Sequence, residues 1–200
     1  MLVDGARFGI DEGLAAGITT YADTCESGAS FDAMLERGVR GVVYQEVFGP
    51  APVACEEALA ELRNRVAGMQ SRQTPLVRVG VSPHAPYTVS DANFERIRML
   101  SDQLDVPVHL HLHETAQEVE QSQQKHGQRP FARIERLGLV NDRLIAVHMT
   151  QLTDAEIALC AQRGASVVLG PESNRNRAAG FCRGADLSRA GINVAISTDG

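Results

Sequence analysis

The sequence predicts an α/β fold in which a parallel sheet curls into a TIM-type (β/α)₈ barrel. Seven short β-rich runs are each separated from the next by a helical segment, and this alternation implies parallel strands with right-handed crossovers. No GxGxxG turn follows a strand, which argues against a dinucleotide-binding sheet. Histidines and leucines alternate in the fourth run, as expected for a strand between a barrel lumen and covering helices.

Each element follows from local patterns. Runs of β-branched and aromatic residues predict the strands, and apolar residues at helical spacing predict the helices. The predicted strands are Ile18–Thr24, Val39–Phe48, Leu76–Val81, Val106–Glu114, Leu144–Met149, Ser166–Leu169 and Ile192–Ser197. The predicted helices are Phe8–Ala16, Phe31–Arg37, Cys55–Met69, Asp91–Leu104, Phe131–Leu137, Thr153–Gly164 and Ala185–Ala190. A polar helix followed by a loop is predicted over Glu118–Gln128, and further loops at Gly49–Pro52 and Gly170–Asn174. These units predict one barrel domain over residues 1–200, one strand short of eight.

Two helix starts carry a more specific signal. Thr115 precedes Glu118 by three residues, and Thr153 precedes Glu156 by the same spacing. Both pairs match the capping box, in which the threonine and the acid each bind a backbone N–H group at the helix start.

Composition narrows the class of protein. With 200 residues, 44% of them hydrophobic and 22% charged, the chain is an ordinary globular protein. It has a net charge of −6, no tryptophan and no basic cluster with interleaved aromatics, so we expect no nucleic-acid partner. It shows no apolar run of membrane-spanning length and begins with scattered acidic residues, so we expect no membrane partner.

The four cysteines, Cys25, Cys55, Cys160 and Cys182, are far apart and form no CxxC pair. This pattern is typical of reduced thiols in a cytoplasmic protein. A cytoplasmic location is therefore the expectation.

The histidine strand organises the predicted site. Side chains of a strand alternate between two faces, so His109, His111 and His113 should share one face. Leu110 and Leu112 should then share the other. The alternative is a solvent-exposed histidine face on an antiparallel edge strand. Same-face neighbours lie roughly 6.6 Å apart along a strand, so one metal ion cannot easily bind all three histidines.

The active site of such a barrel lies at the carboxyl ends of its strands. The polar residues at those ends are His84, His111 with His113 and Glu114, His148, Glu172 with Asn174, and Asp199. Imidazoles and a carboxylate are the ligands of a mononuclear zinc or iron site, and a free glutamate beside it can carry protons. A barrel that binds another polar ligand could also gather several of these groups.

Together the motifs resemble a known family. They are His84-Ala85-Pro86-Tyr87-Thr88, His111-Leu112-His113-Glu114-Thr115, Val147-His148-Met149, Pro171-Glu172-Ser173-Asn174 and Ser197-Thr198-Asp199-Gly200. In order and spacing they resemble the amidohydrolase superfamily, within its cytosine-deaminase/chlorohydrolase-like branch. They are most similar to the 5-methylthioadenosine/S-adenosylhomocysteine deaminases of that branch.

The resemblance implies one divalent metal ion, zinc or alternatively iron, and a small-molecule substrate that is hydrolytically deaminated at an amino-bearing ring carbon. It implies that His111 and Asp199 bind the metal and that Asp199 also takes a proton from water. Glu114 would contact the substrate and shuttle a proton to its ring nitrogen. His148 would orient the hydroxide, and His84 would contact the substrate. His109 is expected to be a lumen histidine that is hydrogen-bonded to a neighbour, and His113 is expected to pack or to support the site without binding the metal.

Three departures from the family pattern leave alternatives open. No His-x-His pair precedes Ile18, so we expect an internal fragment that lacks the first barrel strand and the flanking β-sandwich segments. Leu169-Gly170-Pro171 replaces His-Cys-Pro or Asn-Pro, and Asn174-Arg175-Asn176-Arg177 replaces a continuation that contains apolar residues. The segment Val47–Val66 lacks a match to the arginine-bearing region of the nucleoside deaminases.

These departures give two kinds of alternative. One is another hydrolase of the branch, such as an aminodeoxyfutalosine deaminase, a guanine deaminase or a triazine hydrolase. The other is a truncated, non-catalytic barrel that binds metal weakly.

An incomplete barrel has two unpaired strand edges, which are templates for association. We therefore predict that the isolated chain forms homo-oligomers or folds only partly, as size-exclusion chromatography with light scattering would show. A sharp monomeric peak together with cooperative unfolding would contradict this prediction.

Overall fold

The computed structural model describes residues 1–49 and 55–199 and contains one parallel sheet of seven strands in the order β1 to β7. The strands are β1 Thr20–Cys25, β2 Arg40–Val47, β3 Val77–Pro83, β4 Val108–Leu112, β5 Leu144–His148, β6 Ser166–Leu169 and β7 Val194–Ile196. The sheet curls into an incomplete TIM-type barrel with β1 and β7 at its edges. The predicted fold class is confirmed.

The helices connect successive strands. Within the described residues they are α1 Leu2–Ala15, α2 Ala29–Arg37, α3 Cys55–Gln70, α4 Asp91–Leu104, α5 Ala116–His126, α6 Pro130–Arg136, α7 Asp154–Arg163, α8 Pro171–Asn176 and α9 Gly184–Arg189. None of these described helices has the length and apolar character needed to cross a membrane. Most of the predicted loop Gly49–Pro52 and the side chain of Cys55 lie outside the described residues.

One predicted helix and one predicted loop differ from the structure. Helix α1 begins at Leu2 instead of Phe8, because Gly5 and Gly9 weaken its helical signal in the sequence. The predicted loop Gly170–Asn174 is wrong, since Pro171 begins helix α8 there. Proline is well tolerated at the first helical position, because an N–H group at that position has no acceptor within the helix.

The two faces of the sheet are packed differently. On the lumen side the Tyr44 and His109 rings lie 5.2 Å apart, and His109 Nδ1 lies 3.2 Å from Ser82 Oγ. A Cβ at Gly80 would lie 2.4 Å from the Tyr44 ring, so only glycine leaves room for that ring. On the other face Leu110 and Leu112 are fully buried under the helices, as predicted.

The expected alignment of three histidines is wrong for His113. Strand β4 ends at Leu112, and His113 adopts a φ of 52°, which turns the chain away from the strand direction. The buried His113 ring packs behind the sheet, where its Nε2 accepts the Phe131 N–H at 3.1 Å. Only His109 and His111 therefore share the lumen face, and His113 has the packing role expected of it.

Arg133 of α6 holds the loop between β3 and α4. Its buried guanidinium donates to the carbonyl oxygens of Pro86, at 2.5 Å, and Val89, at 3.1 Å, and it also pairs with Asp91. The neighbouring Arg136 binds the other oxygen of Asp91 at 2.6 Å but is half exposed. A buried charge is tolerated only when such partners replace its lost hydration.

The two predicted capping boxes form differently. At α7 the Glu156 carboxylate accepts the Thr153 N–H at 2.8 Å, and the Thr153 hydroxyl accepts the Glu156 N–H at 3.3 Å, as predicted. At α5, Thr115 caps the Glu118 N–H at 3.1 Å, but the Glu118 carboxylate reaches further back. It accepts the N–H groups of His113 at 3.1 Å and Glu114 at 2.7 Å. Burial raises the pKa of Glu118 to about 7, against the opposing effect of these donors.

We predict that Arg133→Met lowers the free energy of unfolding by roughly 3 to 5 kcal/mol, because it leaves two loop carbonyls and part of Asp91 unpaired. Urea denaturation measures the change. Arg136→Met is the matched control and should cost less than about 1 kcal/mol, because its ion pair is solvent-exposed. Equal losses in the two variants would contradict the role given to Arg133.

The pH dependence of stability tests Glu118. Its folded pKa of about 7 exceeds the ordinary glutamate value of 4.5, so the unfolded chain loses this proton first as the pH rises. Its stabilising contribution is complete below pH 4.5 and is lost as the pH rises through 7, by about 3 kcal/mol in total. The stability difference between wild type and Glu118→Gln should therefore change over this interval in urea titrations. A difference that is constant with pH would refute the raised pKa.

Candidate metal centre

Three predicted site residues meet at the carboxyl ends of their strands. His111 lies in β4, His148 ends β5, and Asp199 follows β7. One potential ligand atom from each lies within 4.8 Å of the others. The parallel register pairs Leu112 with His148, which brings the first two imidazoles to neighbouring positions. The structure therefore joins residues that are far apart in the sequence.

Hydrogen bonds orient both imidazoles. His111 Nδ1 lies 2.8 Å from the His84 carbonyl oxygen, and His148 Nδ1 lies 3.0 Å from Oδ1 of the buried Asn174. Both partners are acceptors, so each Nδ1 donates a hydrogen and Nε2 is the ring nitrogen left to face a metal ion. This arrangement is typical of metal-binding histidines, whose second nitrogen donates to an oxygen. The two rings lie 5.5 Å apart between centroids.

Unusual backbone conformations concentrate at this edge of the sheet. His113, His148, Met149 and Asp199 all have φ between 51° and 75°, a region that costs non-glycine residues of order 1 to 3 kcal/mol. Backbone hydrogen bonds sustain the geometry: Met149 N–H donates to the Leu112 carbonyl at 3.1 Å. Such local strain is characteristic of functional sites.

Glu114 lies buried beside this group. Its Oε1 is 4.0 Å from His148 Nε2 and 2.8 Å from Arg177 Nη1. Its backbone carbonyl accepts the Thr150 hydroxyl at 2.8 Å. The Glu118 clamp on its N–H group and this bond to Thr150 fix the main chain on both sides of the carboxylate.

His84 lies at the mouth of the barrel among aromatic rings. The Phe48 ring stacks on it at 4.6 Å, and Tyr87 meets it edge-on at 5.9 Å. Its Nδ1 lies 2.9 Å from Thr88 Oγ1, whose own hydrogen is directed to the Ala85 carbonyl. Partial burial, together with the nearby His111, lowers the pKa of His84. The ring is therefore a neutral group that can contact a ligand.

Two residues near the site carried no strong signal in the sequence. Glu46 offers a carboxylate oxygen within 4.8 Å of ring nitrogens of His84 and His111, forming a second group that could hold a cation. Burial raises the pKa of Glu46. In the sequence, Glu46 follows Tyr44 by two residues and therefore shares the lumen face of β2. This spacing was the signal that could have identified Glu46. Arg177 appeared only as a departure from the family motif.

Two other predicted polar residues lie apart from the metal-type groups. Glu172 is exposed on α8. His109 lies deeper in the lumen, and burial lowers its pKa to about 3. His109 is thus a neutral lumen residue that bonds to Ser82.

The chain is similar in sequence to known proteins. The Amidohydrolase family model matches residues 1–200. The chain is 39% identical to a 5-methylthioadenosine/S-adenosylhomocysteine deaminase of Teredinibacter turnerae, with 98% of this chain and 45% of that protein covered. It is 32% identical to a 5'-deoxyadenosine deaminase of Methanopyrus kandleri, with 98% and 46% covered. The chain thus spans about half the length of the curated relatives that it matches.

Solved structures show the same fold. A zinc-bound adenosine deaminase from Xanthomonas campestris superposes with a TM-score of 0.91 at 51% identity, covering 99% of this chain and 46% of that one. Atrazine chlorohydrolase from Arthrobacter aurescens superposes at 0.86 with 20% identity, covering 98% and 48%, and shares the fold. The family match over the whole sequence, together with these likenesses, shows that the chain belongs to the Amidohydrolase family.

Proposed function

We propose that the chain is part of a metal-dependent hydrolytic deaminase that acts on an adenine nucleoside with a modified 5' position and releases ammonia. The convergence of His111, His148 and Asp199 within 4.8 Å is the observation that carries this proposal. Relatives named for 5-methylthioadenosine, S-adenosylhomocysteine and 5'-deoxyadenosine support the substrate class. In this proposal residues 1–200 form one metal-dependent hydrolase barrel domain, present in part.

His111 and Asp199 would hold one divalent metal ion, zinc or alternatively iron. The free Nε2 of a neutral imidazole and a carboxylate oxygen suit both metals, and the zinc-bound Xanthomonas campestris relative favours zinc. When bound, the metal supplies Lewis acidity that makes water a nucleophile near neutral pH.

The surrounding residues would handle protons. Asp199 would accept a proton from the attacking water, and His148, held by Asn174, would orient the hydroxide. Glu114 would hold a proton and deliver it to the ring nitrogen beside the carbon under attack. Its burial and its 4.0 Å separation from His148 support this role, because a general acid must lie within short reach of both water and substrate.

His84 would contact the substrate ring. Phe48 stacks on His84, and Tyr87 meets it edge-on. Both aromatic rings are partly exposed at the mouth of the barrel. Aromatic faces of this kind bind flat heterocycles by stacking and exclude water from the reacting atoms.

We further propose that the protein acts in the cytoplasm as a homo-oligomer. The described thiols of Cys25, Cys160 and Cys182 are free, which agrees with a reducing compartment. Ile196 is strongly exposed on the edge strand β7, and an apolar edge of this kind favours association.

Metal content tests the ligand assignment. Protein purified without added metal should contain about one zinc or iron per chain by elemental analysis, and His111→Ala should lose it because an imidazole ligand is missing. His126→Ala is the matched control, because His126 lies on α5 outside the candidate ligand groups, and it should keep the metal. Equal metal content in the wild type and His111→Ala would contradict the assignment.

Glu114→Gln separates an enzyme from a metal-binding structural protein. The amide cannot transfer the proton, so ammonia release from 5'-methylthioadenosine should fall by roughly 10²- to 10⁴-fold while the metal content stays unchanged. Unchanged turnover in this variant would rule out the proton-transfer role. An absence of ammonia release by the wild type from every adenine nucleoside tried would instead reject the deaminase proposal.

A further inference from the structure

Glu46 is a lumen carboxylate that the proposed mechanism does not use. It lies near the end of β2 and is partly buried, and its side chain forms no hydrogen bond or ion pair with any described residue. Arg65 is the only basic residue among the described ones that line the neighbouring cavity, and it binds Glu61 and the Glu26 carbonyl instead. Burying a carboxylate without a positive partner costs free energy, and a bound cation would supply the missing charge.

Backbone pairing places Glu46 beside two imidazoles of the site. The His84 N–H donates to the Val47 carbonyl at 3.1 Å, and the His84 carbonyl accepts the His111 N–H at 3.1 Å. The ends of β2, β3 and β4 are thus joined at one level of the barrel. One potential ligand atom each of Glu46, His84 and His111 lies within 4.8 Å of the others. Ligand atoms around a tetrahedral zinc ion lie about 3.3 Å apart, so small side-chain rotations would bring these three to one ion.

Hydrogen bonds leave one nitrogen of each imidazole for a cation. His84 Nδ1 donates to Thr88 Oγ1 at 2.9 Å, because the Thr88 hydroxyl hydrogen is directed to the Ala85 carbonyl. His111 Nδ1 donates to the His84 carbonyl at 2.8 Å. In each ring Nε2 therefore remains as the ligand atom. The Phe48 ring stacks on His84 at 4.6 Å and restricts its rotation, so both imidazoles are oriented before an ion binds.

His111 belongs to two groups of potential ligands. One group contains His148 and Asp199, and the other contains Glu46 and His84. A single imidazole nitrogen has one lone pair and binds one ion at a time, so the two groups are alternatives for the same ion. All members of the Glu46 group are partly exposed, whereas His148 is buried. An ion can therefore reach the Glu46 group directly from solvent.

We propose that Glu46, His84 and His111 form an alternative binding position for a divalent metal ion that accepts imidazole and carboxylate ligands, such as zinc. This inference rests on the proposed function, because the ion is the one that this function requires. It deepens that function by adding a position in which Asp199 is not a ligand. An ion in this position occupies the His84 ring, which the proposed function assigns to the substrate, and therefore blocks substrate binding.

Zinc binding by single and double variants tests the inference. Equilibrium dialysis against buffered Zn²⁺ gives the number of bound ions and their affinity. We expect Asp199→Ala to keep about one zinc per chain at reduced affinity, because the Glu46 group remains. His111→Ala should lose the zinc, because both positions need His111. Glu46→Gln should weaken zinc binding by roughly tenfold or more in the Asp199→Ala background and by less than about threefold when Asp199 is present.

Cobalt gives a second readout that does not depend on activity. The visible absorption of bound Co²⁺ changes with its ligands and their geometry. We expect the Asp199→Ala spectrum to differ from that of the wild type, and Glu46→Gln to remove the spectrum that remains in this background. Glu26→Gln is the matched control, because Glu26 is an exposed acid of the same cavity outside both ligand groups. It should leave zinc affinity unchanged in both backgrounds.

The contrary outcomes are distinct. Complete loss of zinc from Asp199→Ala would show that only one position exists and would overturn the inference. Equal zinc affinity of Asp199→Ala with and without Glu46→Gln would overturn it as well, because the retained ion would then lie elsewhere. If the wild type binds no zinc, or if His111→Ala keeps it, the metal assignment of the proposed function fails and the inference fails with it.

Discussion

The carbonyl oxygen of His84 is the acceptor on which the site depends. It accepts both the backbone N–H of His111, at 3.1 Å, and the Nδ1 of the same residue, at 2.8 Å. One oxygen at the end of β3 therefore continues the pairing with β4 and also fixes the tautomer and direction of the imidazole. Movement of the β3 end would change strand pairing and ring orientation together. The loop that carries His84 must accordingly be rigid.

Buried polar groups behind the sheet provide that rigidity. Arg133 anchors the loop after β3 through its carbonyl groups, Glu118 anchors the turn after β4 through its N–H groups, and Thr150 ties that turn to the chain after β5. Each of these side chains loses its hydration on burial, and this loss costs free energy unless protein groups satisfy its hydrogen bonds. The barrel thus uses charged and polar residues outside the lumen to position residues inside it.

The same anchors support the strained residues of the candidate metal centre. His148 and Asp199 adopt positive φ values at the ends of β5 and β7, which directs both side chains toward His111. Extended strands would alternate these side chains between lumen and helices, and a regular helix would carry them away. The positive-φ residues at the strand ends therefore bring the potential metal ligands together. The surrounding hydrogen bonds offset the conformational cost of these residues.

The local sequence determined the fold class and most of the residues of the candidate site. Alternating β-rich and helical runs specified the parallel sheet, and polar residues at strand ends predicted that His84, His111, His148 and Asp199 would meet, because parallel strands share one carboxyl edge. Tertiary structure alone decided that His113 turns behind the sheet, that α8 replaces a predicted loop, that Asn174 orients His148, and that Glu46 and Arg177 reach the site. Periodicity is a property of neighbouring residues, whereas these contacts join residues 26 to 65 positions apart, apart from the two local backbone turns. They depend on the backbone direction at single turns, which no repeating pattern in the sequence encodes.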